Sequence, residues 1–250
     1  MLQKTQPSGL RGKLEKGLQR AFMRAYQSVG VTPGAFLAHL QQAHHLPVRE
    51  FRDMLSLDIA VVDQLAQQTL RGGMKMAAAE GAGFGLGGML TLVPDMGVLA
   101  IVTMRTIQKL SLVYGFEYTT DEEVADLWIA AATAAGVDIG KDILERRVVS
   151  QFVPRVIQRM AQKASAEVVE KWAGRVIPVV SSLVGAGLNY YFVRGWGRRA
   201  QKHFREKHLA KRAEMQQPTI EGRVVQDDTG VLMPTGRSAI TGVASAVVQR

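Results

Sequence analysis

The chain has 250 residues, is 47% hydrophobic and 21% charged, and carries a formal net charge of +9, a globular composition with enough apolar residues for a sizeable core. Cysteine is absent, which excludes disulfides, thiolate zinc sites and cysteine nucleophiles and accords with a reducing, cytoplasmic compartment. The polar, basic start MLQKTQPSGLRGKLEKG has no apolar h-region and does not read as a secretory signal.

The positive charge is concentrated. Residues 1–30 place Lys4, Arg11, Lys13, Lys16, Arg20 and Arg24 against Glu15, and residues 198–212 (RRAQKHFREKHLAKR) place seven cations against Glu206. Outside these two stretches the balance is slightly negative, so an anionic partner meets them first.

In chain order, Leu10, Leu14, Leu18, Ala21, Phe22 and Ala25 recur at helical spacing while Lys13, Lys16, Arg20 and Arg24 fall largely on the other side, which predicts a basic amphipathic helix over 10–28. Gly30 and Thr32-Pro33-Gly34 stop it. A second helix is predicted over 47–70 with Phe51, Met54, Leu55, Ile59, Val62, Leu65 and Ala66 as its apolar stripe, Asp58 on or beside that stripe, and a hinge at Arg71-Gly72-Gly73.

Residues 81–104 (GAGFGLGGMLTLVPDMGVLAIVTM) hold six glycines and one charge. Each glycine inside a helix costs roughly 1 kcal/mol relative to alanine, so a helix here requires compensation by close packing. Pro94 predicts a break and Asp95 a cap for the next helix, which ends at Tyr114-Gly115. Thr120-Asp121-Glu122-Glu123 is a capping box that opens a further helix, which ends before Gly136. Two more follow, over 137–152 and 154–173. Pro178 then starts a long last helix running to about Met215, and residues 216–250 lose the helical period and read as a loose tail.

The glycine-rich run ending at Pro94-Asp95, the helix closing with Tyr114-Gly115, and the later Pro178 … Gly185-Ala186-Gly187 … Asn189 segment together resemble the EcsC family, helical proteins named for a bacterial member encoded beside an ABC transporter. The resemblance covers roughly residues 45–212. It implies an all-helical, membrane-linked accessory role and brings no catalytic residue to carry over.

Nucleotide motifs fail on context. Gly83-Phe-Gly85-Leu-Gly87-Gly88 has the G-x-G-x-x-G form but follows a helix-forming MKMAAAE and lacks the acidic residue about twenty positions on, and Gly136 to Asp142 is one residue short of a P-loop. His39, His44, His45, His203 and His208 make no zinc-binding i,i+4 pair. Ser181-Ser182 have no base nearby and no nucleophile elbow surrounds them. These observations lead to no expected cofactor, no metal site and no catalytic residue, with the enzyme question left open toward no.

Small-residue spacing in Gly81, Gly83, Gly85, Gly87 and Gly88, and in Gly185 and Gly187, marks expected helix packing, either within one domain or between membrane helices. The uncharged stretch 81–93 would rise only about 20 Å as a helix, short of a hydrocarbon layer of roughly 30 Å. The run 176–193 (VIPVVSSLVGAGLNYYFV) would reach about 27 Å and has Trp172, Arg175, Arg194 and Trp196 at its flanks, although Ser181, Ser182 and Asn189 want polar partners. Asp95 and Asn189 are the polar groups of the two runs that could carry function.

The fold expected is all-α: a basic amphipathic N-terminal helix (1–34), an EcsC-like helical domain (35–215) with a glycine-rich apolar hairpin, and a flexible tail (216–250). The function expected is that of a non-enzymatic accessory or scaffold protein at the cytoplasmic face of a membrane, attached peripherally. Leu14, Leu18 and Phe22 would insert while Lys13, Lys16, Arg20 and Arg24 hold headgroups, with Arg194, Arg198, Arg199, Lys202 and Arg205 as a second contact. The expected partners are anionic membrane lipid, a membrane transport protein and a second copy of the chain. Nucleic acid is disfavoured, because the basic stretches lack interleaved aromatics beyond Phe22, Tyr26 and Phe204 and no reader motif is present. The alternative is a hydrolase or lipid-handling enzyme with a cavity at the glycine-rich hairpin.

Overall fold

In the structure, a computed structural model, residues 9–27, 30–84, 92–139, 149–173 and 182–216 are described. They form α1 (Leu10–Gln27), α2 (Pro33–His44), a 3₁₀ turn (Phe51–Ser56), α3 (Ile59–Phe84), α4 (Leu92–Val113), α5 (Asp121–Ala134), α6 (Val149–Ala173) and α7 (Ser182–Gln216). No strand occurs among the described residues. The all-α, single helical domain expected from the sequence is what forms.

α4 is the axis of the domain. Met104, Ile107, Leu110, Leu112 and Val113, with Tyr114 just past the helix end, are completely buried and Thr103, Thr106, Gln108 and Ser111 nearly so, so the second half of this helix is covered on most of its circumference, with Arg105 exposed. Its small polar residues keep their hydrogen bonds local: the Thr103 and Thr106 hydroxyls donate to the carbonyls of Leu99 and Val102, at 2.7 and 2.8 Å. α1 and α3 pack along α4, and α6 packs on α1 and α5.

The stop signals were read correctly where a glycine must take φ > 0. Gly115 (φ +89°) ends α4 and Gly136 (φ +70°) ends α5. In each, the glycine N–H and the following N–H return to the helix's last carbonyls: Gly115 to Leu112 and Phe116 to Ser111, Gly136 to Thr133 and Val137 to Ala132. That is the Schellman arrangement, which a Cβ would disfavour. The capping box of α5 also forms, with Glu123 N–H donating to Thr120 Oγ1 at 3.3 Å and Thr120 N–H to the Glu123 carboxylate at 3.0 Å.

Elsewhere local rules yield to tertiary context. The helix predicted over 47–70 is divided at Asp58, which is exposed, lies outside the stripe, and accepts from Ala60 N–H at 2.7 Å at the start of α3. The proline and glycine taken to end α1 instead open α2, with Pro33 in its first turn. No hinge occurs at Gly72-Gly73, and α3 runs through it. The break expected before Pro154 is likewise absent, since Pro154 lies inside α6. α4 begins at Leu92, so Asp95 is its fourth residue and not its cap.

Among the described residues, two close helix approaches are made by glycines that the sequence did not single out for packing. A Cβ on Gly73 would lie 2.3 Å from Thr106 Oγ1, and one on Gly197 would lie 2.3 Å from Leu70 Cδ1; these two positions let α4 and α7 approach α3. Gly187, expected to pack, is exposed with open space around it. Gly85, Gly87 and Gly88 lie outside the described residues. Gly81 and Gly83 belong to the last turn of α3 and Gly185 to the first turns of α7, and their surroundings lie outside the description, as do Pro178 and the expected tail.

Candidate functional site: the exposed cationic face of the last helix

The 35-residue α7 is fastened to the domain by polar side chains of its C-terminal half. Arg199 donates through Nε to the Ala134 carbonyl at the C-terminus of α5, where the helix dipole favours a cation. Arg205 Nε donates to both oxygens of Asp63 on α3, at 2.8 and 3.1 Å. Lys207 reaches Asp126 of α5 at 2.6 Å and lies 4.3 Å above the Phe116 ring. Arg212 donates to the Leu57 carbonyl at 2.9 Å.

Tyr114 stands at the centre of this fastening. Its hydroxyl donates to Asp63 at 2.8 Å, and burial, with Asp63 beside it, drives its pKa well above the usual phenol value. Its carbonyl, left over at the end of α4, accepts from His208 at 2.9 Å. A carbonyl can only accept, so His208 Nδ1 carries the proton. His208 is fully buried; burial lowers its pKa, opposed by the bond to Tyr114 and reinforced by Arg212 and Arg205. The Asp63 contact correspondingly raises the Arg205 pKa.

Nearer its N-terminal end α7 carries an exposed stripe. Tyr190, Arg194, Arg198 and Lys202 follow one another at intervals of four and all lie on the surface, with Tyr191 beside them. Four-residue spacing stacks these side chains along one helical face, over a rise of about 18 Å. Lys202 is in loose contact with Glu206 at 3.8 Å. The expected second contact therefore divides: Arg194, Arg198 and Lys202 are presented outward, whereas Arg199 and Arg205 are committed to the fold.

α1 divides in the same way. Lys13, Lys16, Arg20 and Arg24 are exposed, with Arg20 donating to the Lys16 carbonyl at 3.3 Å. Leu14, Leu18 and Phe22 are not available to insert into lipid, because all three are buried in the domain core. Phe22 stacks on Trp196 of α7 with ring centroids 6.0 Å apart. The apolar face that the sequence offered to a bilayer is used by the protein itself.

Asn189 is buried on the inner side of α7. The side chain of Asp95 lies outside the description. The described residues form a groove between α2, α3 and α4; its lining includes His39 and His44 and no Asp or Glu. No group of three or more His, Cys, Asp or Glu able to hold a metal occurs among the described residues, and no helix among them is long and apolar enough to cross a membrane.

The sequence profile of the EcsC protein family matches residues 13–209. The chain belongs to the EcsC protein family. The EcsC match begins within α1, further toward the N-terminus than the 45–212 region carrying the resemblance, in agreement with the burial of α1 in the common core. Protein EcsC of Bacillus subtilis (strain 168) is 27% identical over 171 residues, covering 65% of this chain and 70% of that protein. No solved structure matches the chain. The Asp63, Tyr114, Arg205 and His208 cluster, spread over three helices of this EcsC domain, had no local signal in the sequence beyond the Tyr114-Gly115 helix end.

Proposed function

We propose that this protein is a peripheral, non-enzymatic accessory factor of the EcsC type that docks on anionic membrane lipid and there holds a membrane transport partner. The observation that carries the reading is the outward line of Tyr190, Arg194, Arg198 and Lys202 on α7. Tyrosine suits the headgroup level, having an apolar ring and a polar tip, and neighbouring cations gain about 1 kcal/mol each near an anionic surface. Lys13, Lys16, Arg20 and Arg24 on α1, the helix stacked against α7 through Phe22 and Trp196, add to the positive field. With Leu14, Leu18 and Phe22 in the core, attachment is electrostatic and salt-sensitive.

Co-sedimentation with vesicles tests this. Binding to phosphatidylglycerol-containing vesicles and not to pure phosphatidylcholine, weakened by salt, is expected. The triple variant Arg194→Glu/Arg198→Glu/Lys202→Glu should lose about 100-fold or more in affinity, three cations at about 1 kcal/mol each before counting the reversed charge. Equal binding to neutral vesicles, or an unaffected triple variant, would remove lipid docking by α7.

A further inference from the structure

We infer that the groove between α2, α3 and α4 is a binding site for a single-chain anionic amphiphile, a molecule with one acyl chain and a carboxylate or phosphate head. The groove has a volume of about 660 Å³, within the range of roughly 300–1,000 Å³ typical of small-ligand sites. Its inner wall is aliphatic and aromatic: Phe36 and Leu40 of α2, Leu65 of α3 and Val102 of α4 line it and are buried. Such a wall suits a hydrocarbon chain and offers little to a sugar or a nucleobase.

The rim supplies charge of one sign. Arg105 and Lys109, one turn apart on α4, both line the groove, and neither makes an ion pair with any described residue. Lys109 instead lies 5.4 Å from the Phe36 ring centroid, at the junction of the apolar wall and the cationic rim. His39 also lines the site, and no carboxylate among the described residues does. Two cations of α7 are matched, Arg205 by Asp63 and Lys207 by Asp126, whereas Arg105 and Lys109 border an apolar trough without such a partner among the described residues. Two unmatched cations beside an apolar trough fit a ligand whose negative head and apolar tail are joined.

Gly72 provides a way to close the site without disturbing the fold. It lines the groove, is exposed, and a Cβ there would meet nothing within 4 Å. A larger side chain at this point of α3 projects into the groove and removes a helix-interior glycine.

The test is isothermal titration of the full chain with palmitate and with 1-palmitoyl lysophosphatidic acid, each below its micelle concentration, beside uncharged monopalmitoylglycerol and inorganic phosphate. Saturable one-to-one binding of at least one anionic amphiphile is expected, at least tenfold tighter than the uncharged lipid and than phosphate. Preference for palmitate or for the lysophosphate identifies the head group. Arg105→Glu/Lys109→Glu should weaken binding at least tenfold, and Gly72→Leu should abolish it with a melting temperature no lower than that of the parent. No saturable binding, equal binding of the uncharged lipid or phosphate, or insensitivity to the rim variant would overturn the inference. It stands apart from membrane docking: the α7 triple variant should leave these titrations unchanged, and the groove variants should leave vesicle binding unchanged.

Discussion

Adjacent glycines in the middle of α3 have opposite meanings. Gly72 faces open space, whereas a methyl on Gly73 would meet Thr106 Oγ1 at 2.3 Å, Cγ2 at 3.0 Å and Cβ at 3.2 Å. Thr106 is buried and β-branched, with its hydroxyl bonded to Val102, so it has few rotamers in which to retreat. Gly72→Ala should therefore stabilise the protein by up to about 1 kcal/mol through helix propensity and the unfolded chain's entropy. Gly73→Ala should destabilise it by about 1–3 kcal/mol, as overpacking does, less the same propensity gain. Thermal melts of both variants check this, with shifts of about 2–4 °C per kcal/mol for a chain of this size. Combining Gly73→Ala with Thr106→Ala should cost less than the two singly. The same melting temperature for both glycine variants would contradict the assigned contact.

At the scale of elements, α7 is fastened by groups whose protonation matters. His208 is buried with a depressed pKa, and burial and Lys207 also lower that of the half-buried His203. Around His208 stand Arg205, Arg212, Asp63 and Tyr114. A histidine with a folded pKa below its unfolded value of about 6.5 binds more protons when unfolded, so its stabilisation is complete above that value and is lost as the pH falls below it. Urea midpoints should thus decline from pH 7 toward 5.5, with a slope of at most about 1.4 kcal/mol per pH unit from His208. His208→Asn, whose amide can still donate to the Tyr114 carbonyl, should be less stable at pH 8 but show a shallower decline. An identical slope would place the titration elsewhere. None of this was legible in the sequence. Helix ends were, because Gly115, Gly136 and Thr120 act within four residues of themselves; His208 and Asp63 acquire their roles from partners 94 and 142 positions away. The segment 33–44 was misread for a related reason: Pro33-Gly34 can stop one helix or start another, and Phe36 and Leu40 choose the second by packing into the core.

For the whole molecule, the decisive point is where α1 belongs. Its cations and apolar stripe describe a membrane-surface helix as well as a core helix, since both need one greasy face and one wet one. Burial separates them: Leu14, Leu18, Ala21, Phe22 and Ala25 are in the core, against α4, α6 and Trp196 of α7. Each large side chain so buried contributes on the order of 1.5–3 kcal/mol, so three of them approach the 5–15 kcal/mol net stability of an ordinary domain. Removing residues 1–29 should consequently do more than weaken lipid binding. The truncated chain should lose its cooperative unfolding transition and near-ultraviolet circular dichroism while keeping much of its far-ultraviolet helical signal, as when packing is lost and helices persist. By contrast, Lys13→Glu/Lys16→Glu/Arg20→Glu, which reverses three exposed charges, should melt within a few degrees of the parent and lose vesicle affinity. A truncated protein that melts cooperatively near the parent temperature would return α1 to the role of a detachable arm.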